Sequence, residues 1–160
     1  MNKPANPVET NDNLQEQAMQ RSNTDNAPRS AIHQTLYSAD TFVQYDYLAG
    51  KNLPDITRPQ EGQINWLHFV GINDAALLKH ALEPYGIHEL VIEDILSRKQ
   101  RPKIEDYGNY VFTAAQVYHY TTTGKLHSDQ VYVIIGKDFV LSFQQKPLGL
   151  FSQLRRQMHE

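Results

Sequence analysis

The chain contains no cysteine in its 160 residues. That removes disulfides, thiolate metal sites and cysteine nucleophiles, and it fits a reducing compartment. No apolar run approaches the roughly 18 residues needed to span a bilayer. Excess positive charge is missing too: 15 Lys and Arg face 18 Asp and Glu, a formal net charge of −3. That balance gives no electrostatic case for nucleic acid. The opening Met1-Asn2-Lys3-Pro4-Ala5-Asn6 lacks the apolar stretch of a signal peptide. Catalytic signatures are absent as well. After His88-Glu89, Ile92 stands where a zincin helix needs its second His. Gly124-Lys125 and Gly136-Lys137 have no upstream glycine to form a phosphate loop. No Gly-x-Ser-x-Gly elbow occurs. The expectation is a soluble, cytoplasmic chain that is not an enzyme.

What is present suits one globular domain. The apolar fraction is 40% and the charged fraction 21%, both ordinary. Residues 1–29 are rich in Asn, Gln, Pro and Ser without a period, and read as a disordered tail, with a short helix over Leu14–Arg21 as the alternative. The domain is expected over residues 30–160. Ile32–Tyr37 and Thr41–Tyr47 read as a β-hairpin around Ser38-Ala39-Asp40. Leu48–Gly62, with two prolines and two glycines, reads as a loop. Ile64–Val70 is apolar on both faces and reads as a central strand covered on both sides. Asn73 or Asp74 then caps a helix with the stripe Leu77, Leu78, Ala81, Leu82 and Tyr85. Tyr110–Tyr120, Ser128–Ile135 and Phe139–Phe143 form an antiparallel meander. A last helix starts at Pro147 or Leu148 and still runs at Glu160, which suggests that more protein follows. The fold class is therefore α+β: α/β/α layers with a mixed, largely antiparallel sheet of about six strands and helices on its faces.

The densest chemistry lies between Tyr85 and Tyr107. A helix reads from His88 to about Lys99, with Val91, Ile92, Ile95 and Leu96 as its buried stripe. His88 sits at its N-terminus, where the ring can accept a backbone N–H. Pro102 excludes Arg101 from the helical region and closes the helix. Arg98, Lys99, Arg101 and Lys103 form a basic cluster, read as a solvated helix end; Glu105-Asp106 can pair with it. Seven histidines show no metal-ligand spacing. Glu93 and Asp94 are adjacent carboxylates beside the apolar stripe. By pattern alone they are a solvent-facing pair. Neighbouring helical residues diverge by about 100°, so the two do not easily chelate one ion. Each can give one oxygen to a separate hard cation such as Mg²⁺.

The run Gly86-Ile87-His88-Glu89-Leu90-Val91-Ile92-Glu93-Asp94-Ile95-Leu96-Ser97-Arg98-Lys99-Gln100-Arg101-Pro102-Lys103-Ile104-Glu105-Asp106-Tyr107 resembles the corresponding segment of CorA-type magnesium/cobalt transporters. The similarity extends over about Ile32–Glu160 and includes the strand Asn65-Trp66-Leu67-His68-Phe69. One departure is Glu89, where the family usually has Pro. The resemblance implies an N-terminal cytosolic domain of a homopentameric channel, on the cytoplasmic side of the membrane. The stalk, the transmembrane helices and a Gly-Met-Asn pore signature are absent from this chain, so membrane contact comes only through segments outside it. The resemblance also implies that Asp94, and secondarily Glu93, are metal half-sites completed by a neighbouring subunit. The expected ion is Mg²⁺, with Co²⁺, Ni²⁺ or Zn²⁺ as further candidates, and it holds the channel closed. Two alternatives stay open: a stand-alone soluble module without transport, and the same domain of a zinc-transporting relative. The isolated chain is expected to bind Mg²⁺ weakly, as a monomer or loose oligomer.

Overall fold

A computed structural model describes residues 30–49, 52–71 and 73–158. The tail and short helix considered for residues 1–29 lie outside the described residues, as do His159 and Glu160. The elements are β1 (Ser30–Tyr37), β2 (Phe42–Ala49), β3 (Ile64–Val70), α1 (Ala75–Leu82), a 3₁₀ turn (Glu83–Tyr85) and α2 (Glu89–Ser97). Then follow β4 (Lys103–Asp106), β5 (Tyr110–Tyr120), β6 (Leu126–Gly136), β7 (Phe139–Gln144) and α3 (Ser152–Gln157).

The strands form one seven-stranded sheet in the order β2-β1-β3-β7-β6-β5-β4. Every pairing is antiparallel except β3 with β7. The parallel pair joins the N-terminal hairpin unit to the C-terminal meander, because β3 must leave for two helices before the chain returns. The α+β class is as expected, with one strand more than the six foreseen.

Local signals set most boundaries. Ser38 closes the β1–β2 turn: its N–H donates to the Thr41 carbonyl at 2.9 Å, and its hydroxyl accepts from the Thr41 amide at 3.2 Å. Asp74 caps α1 by accepting from the amides of Ala76 and Leu77 at 2.9 and 3.1 Å. Pro84 opens the 3₁₀ turn, where no donor is required of it, and Gly86 ends that turn at φ 61°. The final helix begins at Ser152 rather than Pro147, after Gly149 turns the chain at φ 65°.

Helices of eight and nine residues do not hold themselves together in water. Burial stabilises them. Leu77, Leu78, Ala81 and Leu82 of α1 and Val91, Ile92 and Ile95 of α2 pack on Phe69, Phe112, Ile134 and Leu141 of the sheet. Each such large side chain gains about 1.5–3 kcal/mol. On the opposite face Phe151 meets Trp66 and His68 at 5.6 and 4.9 Å between ring centroids. That contact makes β3 central and covered on both sides, as its composition predicts. Toward β4 the same face carries exposed apolar residues, among them Ile104 and Ile135.

Candidate functional site

His88 starts α2 in extended conformation, and its Nδ1 accepts the Leu90 amide at 3.1 Å. Its own amide donates to the Tyr110 hydroxyl at 3.0 Å, which pins the helix start to β5. The apolar stripe is buried at Val91, Ile92 and Ile95, with Leu96 partly covered. The helix ends at Ser97, earlier than the Lys99 expected from Pro102. The cause is Arg98, which takes the left-handed conformation at φ 56°. No other non-glycine among the described residues has a positive φ. Asn73 accepts from the Arg98 guanidinium and from Gln145 Nε2, so this terminus is tied to the start of α1 and to the end of β7.

The turn after Arg98 brings the chain back under α2. Lys103 on β4 places its ammonium 2.7 Å from Asp94 Oδ2 and 3.1 Å from Glu105 Oε1. Gln100 Nε2 donates to Asp94 Oδ1 at 2.8 Å. Both oxygens of Asp94 are thus oriented from within the chain. The hydrogen bond to Asp94, reinforced by Glu105, raises the Lys103 pKa above its usual value. The ammonium also lies 5.5 Å from the Phe112 ring centroid. Beneath it the Tyr132 phenol is pushed up to about 12, first by burial and then by the Asp94 charge.

Glu93 differs from its neighbour. It is exposed and makes no hydrogen bond or ion pair among the described residues. Adjacent carboxylates on one helix therefore sit in two environments, Glu93 exposed within electrostatic reach of Lys79 and Asp94 held directly by Lys103. This follows from the angular divergence of consecutive helical positions. No group of three or more His, Cys, Asp and Glu that could enclose a metal ion exists among the described residues. The oxygen donors suit a hard cation, but they supply only one or two ligands to it.

The basic cluster is not one solvated helix end. Lys103 belongs to β4 and pairs with Asp94; Arg98 is the left-handed cap of α2. The sequence reading missed β4 because its pattern is inverted. Ile104 points to solvent at 76% exposure while Lys103 and Glu105 turn inward. The alternation Lys103-Ile104-Glu105 directly after Pro102 is the signal that reveals it.

Residues 61–160 match the family described as CorA-like Mg2+ transporter protein. Over 94 residues, 58% of this chain, the sequence is 38% identical to the cobalt/magnesium transport protein CorA of Thermotoga maritima. That stretch is 27% of the relative's length. In fold, the chain resembles the complete CorA magnesium transporter of Methanocaldococcus jannaschii, with a TM-score of 0.56 and 10% identity. The likeness covers 83% of this chain and 37% of that one. The ZntB cytoplasmic domain of Vibrio parahaemolyticus gives 0.54 at 10% identity, over 82% of this chain and 50% of that one.

Proposed function

The chain belongs to the CorA-like Mg2+ transporter protein family, and from that premise we propose that it is a cation-sensing regulatory domain of a divalent-metal transporter. It works on the cytoplasmic side of the membrane, among copies of itself, and it carries no catalytic role. Asp94 is the principal ligand of a shared cation site and Glu93 a secondary one. The missing donors come from a neighbouring copy. Mg²⁺ is the favoured ion and Co²⁺ the next.

One observation carries this reading: Asp94 and Glu93 present two carboxylates on α2, and the described residues supply no third donor to close a site around either. Mg²⁺ accepts such an arrangement because it keeps several waters and takes one or two carboxylates. A shared ion offsets the repulsion between acidic faces of adjacent copies. Its departure favours a looser arrangement, which is a population shift between two assemblies.

Lys103 adds a feature of this chain. Without the ion, its ammonium neutralises Asp94 at 2.7 Å. A dication binding to Asp94 must compete with that charge, so the site responds only to high ion concentration. The same domain of a zinc-transporting relative stays the second reading, because the fold is common to the CorA and ZntB domains and does not select the ion.

The test is Asp94→Ala in the transporter polypeptide that carries this domain. Cation-dependent closure should weaken at least tenfold in the ion concentration required. Closure unchanged by the substitution would remove Asp94 from the site.

A further inference from the structure

Asp94 presents its two oxygens on unequal terms. Oδ2 meets the Lys103 ammonium at 2.7 Å, and that ammonium has a second acceptor at hand, Glu105 Oε1 at 3.1 Å. Lys103 is a point charge on a flexible four-carbon stem, so it can leave Oδ2 and keep a partner. Oδ1 accepts from Gln100 Nε2 at 2.8 Å. A carboxylate only accepts, so the NH₂ end of the Gln100 amide must face it. The same NH₂ reaches Ser97 Oγ at 3.3 Å, and that hydroxyl donates to the Asp94 carbonyl at 2.9 Å.

Gln100 is anchored at its backbone. The side chain of Gln130, on β6, clasps it: the Gln100 amide donates to Gln130 Oε1 at 3.0 Å, and Gln130 Nε2 donates back to the Gln100 carbonyl. A backbone N–H only donates and a C=O only accepts, so both ends of the Gln130 amide are fixed. The Tyr132 hydroxyl donates to the same Oε1 at 2.6 Å. Tyr132 is 3% exposed, and its phenol, pushed up to about 12, keeps the proton it donates. Hydrogen bonds thus run from the sheet through Gln130 and Gln100 to Oδ1.

This asymmetry bears on which ion Asp94 accepts. Mg²⁺ demands a near-ideal octahedron, and the two oxygens of one carboxylate lie too close together for adjacent corners of it. Ca²⁺ is larger and more tolerant, and it commonly takes both oxygens of a carboxylate. An ion bound end-on at Oδ2 displaces only Lys103, which passes to Glu105. An ion bound through both oxygens must also take Oδ1 from Gln100. The clasp by Gln130 prevents the Gln100 backbone from retreating, and the amide loses its charged partner, a hydrogen bond stronger than a neutral one.

Resting on the cation site proposed above, we propose that Gln100 sets the specificity of that site: by occupying Oδ1 it leaves Asp94 a one-oxygen ligand and favours Mg²⁺ over Ca²⁺. Gln130 and Tyr132 are positioning residues that act through Gln100 and touch no ion themselves.

The experiment titrates the backbone amide resonances of the chain with Mg²⁺ and, separately, with Ca²⁺, in wild type, Gln100→Met and Gln130→Met. Gln100→Met keeps the side-chain length and the backbone clasp and removes only the amide. Wild type should bind Mg²⁺ more tightly than Ca²⁺. In Gln100→Met the ratio of the Ca²⁺ Kd to the Mg²⁺ Kd should fall at least about threefold, mainly through tighter Ca²⁺ binding. Gln130→Met should move the ratio in the same direction; if its circular dichroism melt shows that it does not fold, Gln100→Met alone decides. A merely structural role would weaken both ions alike, and an unchanged ratio in Gln100→Met would overturn the proposal while leaving the cation site standing. A wild type without preference for Mg²⁺ would overturn it equally. Wild-type resonances around Asp94 that respond to neither ion would remove the cation site itself, and this inference with it.

Discussion

Replacing Lys103 with Met separates two roles that its ammonium could have at Asp94. If Lys103 competes with the ion, its removal tightens cation binding. If it merely orients the carboxylate, its removal weakens binding. The geometry favours competition. Lys103 Nζ lies 2.7 Å from Asp94 Oδ2, and an Mg²⁺ ion bound directly to a carboxylate sits about 2.1 Å from its oxygen. The ammonium and the ion would then be within about 5 Å. A unit charge facing a dication at that distance costs about 1.7 kcal/mol in a water-like dielectric, reduced to about 1 kcal/mol by physiological salt. Lys103→Met should therefore lower the Mg²⁺ Kd about five- to tenfold. Methionine keeps the apolar stem over Phe112. The lost ion pair is partly exposed, at 28% and 23% for the two side chains, so stability should fall by only about 1 kcal/mol. Lys103→Arg keeps the charge and should leave the Kd within about twofold. Calorimetry with millimolar Mg²⁺ reads both variants, and circular dichroism confirms the fold. A Lys103→Met Kd equal to or weaker than wild type would refute the competition argument.

Two further predictions concern stability. His68 is 2% exposed, and burial, with Arg155 and His33 nearby, lowers its pKa to about 3. Trp66 Nε1 donates to Ser142 Oγ at 2.9 Å, and the same hydroxyl lies 2.7 Å from His68 Nδ1. Burial first, then the charge of Arg155, holds the ring neutral. The unfolded chain takes up a proton near pH 6.5, and the folded chain does not until about 3. Stability should thus fall as pH drops through that window, by up to about 5 kcal/mol from this group. Urea unfolding at pH 7 and pH 4.5 should show a smaller difference for His68→Gln, and an equal difference would contradict the assignment. At the β6–β7 turn, a Cβ on Gly136 would collide with the Phe139 ring. That ring is packed on Tyr85 at 4.8 Å. Gly136→Ala should cost about 1–3 kcal/mol, and an unchanged melting temperature would show that Phe139 moves freely.

Most of the sheet was legible because burial and period agree. β3 is apolar on both faces, and it lies centrally with α1 and α2 on one side and Phe151 on the other. β5, β6 and β7 announce their hairpins through Thr123-Gly124 and Gly136-Lys137. β4 was not legible because its apolar residue faces out and its charges face in, against the usual binary pattern. The helix end was misplaced for a related reason. Pro102 marks where a helix must already have stopped, but the stop came from Arg98 entering a left-handed conformation that favours glycine. At the candidate site, the sequence exposed Glu93 and Asp94 as neighbours but not their inequality. That depends on Lys103 and Gln100 arriving beside Asp94 alone, a tertiary fact set by the unforeseen strand.

If α2 carries an incomplete cation site, titrating the chain's backbone amide resonances with Mg²⁺ locates it. Shifts should be confined to the Glu93–Lys103 region, with a millimolar midpoint and fast exchange, and should be lost in Asp94→Asn. Micromolar saturation would contradict the half-site, and shifts that spare this region or survive the substitution would contradict its location.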